Sequence, residues 1–160
     1  MKKIVITGGL GYIGMELCKI YSGQSRKKDV VVIDNKFHSS RVQQLKRWGI
    51  KFKQIDVLDS DNLNKEIHNA DIIYHLAGIS DVATVKEDVN TNHEKLVYEV
   101  GVKGTRNIIN LSSKETKIVF PSTHVIFEGL KKVHHNIDED HKPVPVLPYS
   151  KGKLDSENDL

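Results

Sequence analysis

Two groups of residues in this chain could do chemistry. Gly8, Gly11 and Gly14 stand three apart within TGGLGYIG, directly after a short β-branched run. Glycines at a strand-to-helix turn let the backbone close tightly, let a pyrophosphate approach the main chain and let the helix pack on the strand, while the helix N-terminus favours the negative charge. Near the other end, Tyr149 and Lys153 are four apart, so on a helix they share one face. A phenol at about 10 becomes a base near neutrality only with about 4 kcal/mol of preference for phenolate. One cation at ~4.5 Å in an effective dielectric of ~20 supplies that much. The two groups together point to proton transfer beside a bound dinucleotide.

Other residues refine that reading. Asp34 closes a second apolar run twenty residues past Gly14, where a carboxylate accepts both ribose hydroxyls and repels a 2′-phosphate. That favours NAD over NADP, although Lys36 and Arg41 bring positive charge nearby. The glycine spacing is one residue longer than the commonest fingerprint, and a merely tight turn would use the same residues. Asp56 would face the adenine edge or cap the next helix.

These residues need elements to hold them. Strands are expected at 3–7, 30–34, 51–55, 71–76 and 117–120, because each is a short apolar or β-branched run bounded by turn residues. Helical periodicity falls between them, at 12–21, at 40–48 with Ser39 or Ser40 as cap, from Ser60, and at 92–111, where Gly101 and Gly104 weaken the pattern. Residues 129–148, rich in His, Asp, Glu and Pro, read as a long loop over an active-site edge, followed by a last helix near Tyr149. Strands alternating with helices imply an α/β fold, a Rossmann-type doubly wound parallel sheet of order 3-2-1-4-5.

Composition narrows the class. With 160 residues, 38% hydrophobic and 28% charged, the chain has the profile of one folded domain. A net charge of +3 with lysines scattered among acids gives no nucleic-acid footprint. No apolar run is long enough for a membrane span or a signal h-region. The single Cys18 excludes an internal disulfide and suits the cytoplasm. Cys18 and His75 read as core, and Trp48 as cover for the core or sheet edge. His134, His135, Asp138, Glu139, Asp140 and His141 lack zinc-site spacing and read as a solvated loop, so no metal is expected.

TGGLGYIG, IDN at 33–35, Asp56 with Val57, HLAG at 75–78, GTRNI at 104–108, PSTHVIFEG at 121–129 and YSKGK at 149–153 together resemble the extended short-chain dehydrogenase/reductase family, its NAD-dependent nucleotide-sugar epimerases and dehydratases in particular. The resemblance implies a catalytic set of Thr123, Tyr149 and Lys153, with Ser122 as the alternative to Thr123. It implies NAD contacts from Gly8, Gly11, Tyr12, Ile13, Gly14, Asp34, Asn35, Asp56, Val57, Leu76, Ala77, Gly78, Tyr149 and Lys153. It further implies a nucleotide-sugar substrate and a homodimer at full length.

Three departures stand out. Gly101 replaces an asparagine that many members carry, and STHVIFEG is closer to the dTDP-4-dehydrorhamnose reductases. The sequence stops just past Lys153, whereas members continue for about as long again. Residues 1–160 are therefore expected to form the cofactor-binding domain, its sheet incomplete on the C-terminal side, with the substrate domain further along. An NADP-dependent sugar-nucleotide reductase of the dTDP-4-dehydrorhamnose reductase type, a non-catalytic dinucleotide-binding subunit and a truncated product are the alternatives.

Overall fold

The computed structural model describes residues 2–24, 28–80, 91–131 and 136–160. Five strands alternate with helices: β1 (Lys3–Thr7), α1 (Tyr12–Ser22), β2 (Asp29–Asp34), α2 (Ser39–Arg47), β3 (Lys51–Gln54), α3 (Ser60–Ile67), β4 (Ile72–His75), α4 (Thr91–Leu111) and β5 (Lys117–Val119), then a short 3-10 helix (His124–Phe127) and α5 (Pro148–Asp159). All strand pairs are parallel and the sheet order is β3-β2-β1-β4-β5. The doubly wound arrangement expected from the alternation of elements is thus the one formed.

The inner strands β1, β2 and β4 carry near-continuous apolar runs because both faces of the sheet are covered there, whereas the edge strand β3, Lys51–Gln54, is mostly exposed. Side chains alternate between faces along a strand, so Ile4, Ile6, Val30 and Val32 pack with Cys18 of α1 and Leu45 of α2. Val5, Val31, Ile33 and Ile73 pack on the other side with Leu63 and Ile67 of α3 and Ile108 of α4. Leu45, Leu63 and Ile67 are fully buried, and truncating any of them to alanine would cost about 2–5 kcal/mol. Trp48 lies half-buried against the first of these clusters, and Cys18 sits within it.

Two capping expectations are corrected. Helix α2 begins one residue early with His38 as N-cap, and neither Ser39 nor Ser40 caps it, since both lie inside the first turn. Asp59, not Asp56, caps α3, its carboxylate accepting the Asn62 amide at 3.2 Å.

Helix α4 runs through both of its glycines. A Cβ on Gly104 would lie 2.8 Å from a Val57 methyl, so the missing side chain lets α4 settle on the segment after β3. Asn107 fixes that approach by donating to the Val57 carbonyl at 2.9 Å. The weak helix propensity of glycine is outweighed here by tertiary packing. Beyond the 3-10 helix the backbone returns to it, with the Val144 amide donating to the Ile126 carbonyl at 2.8 Å and the Gly129 amide to the Val144 carbonyl at 2.9 Å. The described part of the expected loop is therefore pinned at its base. Among the described residues no helix is long and apolar enough to cross a membrane.

Candidate active site

In a parallel sheet every strand ends at the same edge, and ligands bind in the crevice outside those ends. The β1–α1 turn supplies its floor. Gly8 has φ +64°, and a Cβ there would lie 2.7 Å from the Ala77 amide nitrogen, while one on Gly14 would lie 2.5 Å from the Gly9 Cα. The turn is built of backbone packed on backbone, and only glycine fits at either position. Gly11 donates to the Gly8 carbonyl at 2.9 Å and serves as N-cap of α1, with no side chain capping the helix. The first-turn amides of such a helix lack intrahelical partners and suit an anion. Tyr12 and Ile13 are exposed beside them.

At the end of β2 the Asp34 carboxylate accepts the Leu10 amide at 3.1 Å and the Lys36 amide at 3.0 Å. The carboxylate is thereby fixed against the glycine turn. Arg41 reaches the same place, donating to the Leu10 carbonyl. Asn35 donates to Asp56 at 3.0 Å, and Asp56 also accepts the Leu58 amide at 2.9 Å. Asp34, Asn35 and Asp56 are thus brought together, and Val57 beside them is buried against Gly104 of α4.

Behind the turn lies a buried polar chain. Parallel register places Thr7 opposite His75, and their side chains meet at 2.8 Å between Thr7 Oγ1 and His75 Nδ1. Thr105 donates to the Gly101 carbonyl at 2.7 Å, so its hydroxyl oxygen accepts from His75 Nε2 at 3.1 Å. His75 is therefore the neutral Nε2–H tautomer and its Nδ1 accepts from Thr7. Thr7 in turn accepts the Ala77 amide at 3.3 Å. Burial, with Lys153 adding positive charge nearby, pushes the His75 imidazole down to about 3. His75 is a core residue as expected, and also the bridge from β1 to α4 that holds the Leu76–Ala77–Gly78 segment.

Tyr149 and Lys153 project from α5 into a cleft that they share with Ala77, Gly78, Ile79, Phe120, Val97 and Gly101. Lys153 Nζ donates to the Pro121 carbonyl at 2.8 Å, lies 4.2 Å from the centre of the Phe120 ring and 6.0 Å from that of Tyr149. Burial holds its ammonium down to about 8, against the opposing pull of Glu157. Thr123 lies elsewhere. It is the N-cap of the 3-10 helix, accepting the Val125 amide at 3.3 Å, and faces an adjoining hollow with Ser122, Phe127 and His141. Ser122 donates to Glu157 of α5. Tyr149, Lys153 and the end of β4 converge, then, while Thr123 stands beside them rather than among them.

Asp138 and His141 pair with each other at 2.6 Å, His134 and His135 lie outside the described residues, and no group of three metal-ligating side chains forms among the described residues. Residues with no forecast role that shape the site are Thr7, Thr105, Asn107, Phe120 and Glu128. All but Phe120 fall within TGG, GTRNI or PSTHVIFEG, so position in those motifs was the available signal.

The chain has relatives among known proteins. A UDP-glucose 4-epimerase of Mycoplasma genitalium is 33% identical over 131 residues, covering 78% of this chain and 37% of that protein. The human short-chain dehydrogenase/reductase family 42E member 1 is 33% identical over 153 residues, covering 92% of this chain and 35% of its own. Among solved structures, a UDP-glucuronic acid 4-epimerase from Bacillus cereus, a Tyr-to-Phe mutant in complex with NAD and a fluorinated UDP-sugar, superposes with a TM-score of 0.80 at 26% identity, over 98% of this chain and 50% of that one. The UDP-glucose 4-epimerase of Brucella ovis in complex with NAD gives 0.79 at 26% identity, over 100% and 47%. The chain spans half or less of the length of each of these proteins. Residues 5–159, which include the glycine turn, the Thr7–His75 bridge and the Tyr149–Lys153 face, match the 3-beta hydroxysteroid dehydrogenase/isomerase family, and the chain belongs to that family of extended short-chain dehydrogenases/reductases.

Proposed function

We propose that this chain is the cofactor-binding part of an NAD-dependent nucleotide-sugar epimerase or dehydratase. The observation that carries the reading is that Tyr149 and Lys153 line the same cleft as Ala77 and Gly78, at the strand ends that also bear the glycine turn. The UDP-sugar relatives support the substrate class, and the NAD complexes of the solved neighbours support the cofactor.

A turn in which any Cβ at Gly8 or Gly14 would strike backbone fits a pyrophosphate lying against the main chain. Gly8, Gly11 and Gly14 with Tyr12 and Ile13 would hold the phosphates, Asp34, Asn35 and Asp56 the adenosine end, and Leu76, Ala77 and Gly78 the wall beside the nicotinamide, with Val57 packed behind. When bound, the nicotinamide supplies reversible hydride acceptance. As the phenolate, Tyr149 takes the proton of the substrate hydroxyl, and as the resulting phenol it gives the proton back. Lys153, whose ammonium lies 6.0 Å from the centre of the Tyr149 ring, would hold the nicotinamide ribose and bring positive charge to the phenol's side of the cleft. Thr123 orients the substrate oxygen, and Ser122 is already engaged by Glu157.

The same proposal includes a substrate domain outside these 160 residues, consistent with the greater length of the relatives. It also includes a homodimer. A cytoplasmic location fits Cys18, kept as a thiol in the core with burial pushing it up to about 12.

The test is Tyr149→Phe in the full-length protein, assayed with UDP-glucose and NAD. Turnover should fall by about 10²- to 10⁴-fold while NAD affinity stays within a few-fold. Near-normal turnover in the variant overturns the acid/base role. A wild-type protein that leaves UDP-sugars untouched but turns over a hydroxysteroid overturns the substrate class.

A further inference from the structure

The glutamate that follows the 3-10 helix reaches across to α5. Glu128 Oε1 accepts the Val146 amide at 2.8 Å and the Leu147 amide at 2.7 Å, and it also meets the hydroxyl of the fully buried Ser150. These contacts surround the N-terminus of α5, where Leu147 is the N-cap and Pro148 the first residue. Neither side chain can accept a hydrogen bond from the first-turn amides, so the helix cannot cap itself in the usual way. A carboxylate some twenty residues upstream instead accepts the amide of the N-cap Leu147 and that of Val146 before it, as the glutamate of a capping box accepts the N-cap amide, and puts negative charge at the positive end of the helix. Burial pushes the Glu128 carboxyl up, yet the donors from Leu147, Ser150 and Val146, with Lys151 nearby, hold it below its ordinary range, as a working ionic cap requires.

The two ends of this contact bear on the proposed chemistry. Thr123 caps the front of the same 3-10 helix whose rear cap is Glu128, and Tyr149 follows Leu147 by two residues. The Ile126–Val144–Gly129 backbone bridge tethers the returning chain to the same short helix. Building on the function proposed above, we infer that Glu128 is a positioning residue, which fixes α5 to the Thr123 segment and so sets the separation between the Thr123 hydroxyl and the Tyr149 phenol.

The experiment compares wild type, Glu128→Ala and Glu128→Gln of the full-length protein. It measures kcat and KM with UDP-glucose, NAD affinity by calorimetry, and the Thr123 Oγ1 to Tyr149 Oη separation in crystals. Glutamine keeps an acceptor oxygen at the same reach. The expected result is that alanine changes the separation and lowers kcat about 10- to 100-fold with KM and NAD affinity within about threefold, and that glutamine restores both kcat and separation. An unchanged separation in the alanine variant overturns the inference, as does equal damage from alanine and glutamine. If wild type does not act on UDP-glucose, the proposed function fails there, while the crystallographic comparison still decides whether Glu128 positions the two hydroxyls.

Discussion

Lys153 Nζ sits 2.8 Å from the Pro121 carbonyl oxygen, tying the face of α5 that carries Tyr149 to the chain leaving β5. The ammonium is largely withdrawn from water, and its acidity records that. Burial holds it down to about 8 from an ordinary 10.5.

This has a pH signature. Between about 8 and 10.5 the unfolded chain holds a proton at Lys153 that the folded chain has released, so stability rises with pH across that window. The burial cost is fully present below 8 and gone above 10.5, and after solvent screening it amounts to about 1 kcal/mol. Urea denaturation of wild type and Lys153→Met at several pH values should show the rise in wild type and lose it in the variant. Parallel curves for the two proteins contradict the assignment.

His75 predicts the opposite edge of the pH range. Its imidazole is held at about 3 in the folded chain against 6.5 when free. As pH falls below 6.5 the unfolded chain takes up a proton that the folded one refuses, so stability is full above that value and is lost progressively toward pH 3. The loss should be on the order of a few kcal/mol, because the ring lies between Thr7 and Thr105 with no room for a second proton donor. A His75→Gln variant should show a flatter acid limb than wild type in the same denaturation series. A wild-type limb as flat as the variant's sinks the prediction.

Cofactor choice follows from Asp34. Its carboxylate is held by two backbone amides at the end of β2, and a 2′-phosphate placed there meets a fixed like charge. NAD should bind at least tenfold more tightly than NADP, and Asp34→Asn should narrow the gap. Arg41, bonded to the Leu10 carbonyl whose own amide holds Asp34, is a guanidinium close enough to offset part of the repulsion. Calorimetric titration with both cofactors settles it, and equal affinities in wild type would falsify the prediction.

Much of this was legible in the chain. Apolar runs punctuated by glycine gave the strands within a residue or two, and the order of the sheet followed from right-handed crossovers. That Tyr149 and Lys153 share one face was legible from the helix period, whereas their meeting with the end of β4 was implied by the family resemblance alone. What could not be read was who answers whom across space. The motif HLAG does not say that His75 bonds Thr7 and Thr105, since that depends on the parallel register pairing Thr7 with His75. Nor does IFEG disclose that Glu128 caps a helix starting at Pro148, because a cap is normally a local residue. The serine caps of α2 and the capping role of Asp56 failed for a related reason. At α3 the backbone geometry selected Asp59 over Asp56, and at α2 the helix starts at Ser39 behind His38 with no side-chain cap.

The separation of Thr123 from the cleft supplies the last prediction. Its hydroxyl already accepts the Val125 amide at 3.3 Å, so it can offer the substrate one hydrogen bond while serving as the cap of the 3-10 helix. Removing a single hydrogen bond to a reacting oxygen costs a few kcal/mol at most, whereas removing the proton-transfer group stops the chemical step. In the full-length enzyme Thr123→Val should therefore lower kcat by about 10- to 10²-fold, less than Tyr149→Phe, with NAD affinity unchanged. Thr123→Ser, which keeps both the cap and the donor, should recover most of the loss. Steady-state kinetics on the three variants distinguish the roles. A Thr123→Val enzyme as impaired as Tyr149→Phe would mean that the hydroxyl does more than orient the reacting oxygen, and a fully active one would remove Thr123 from the site.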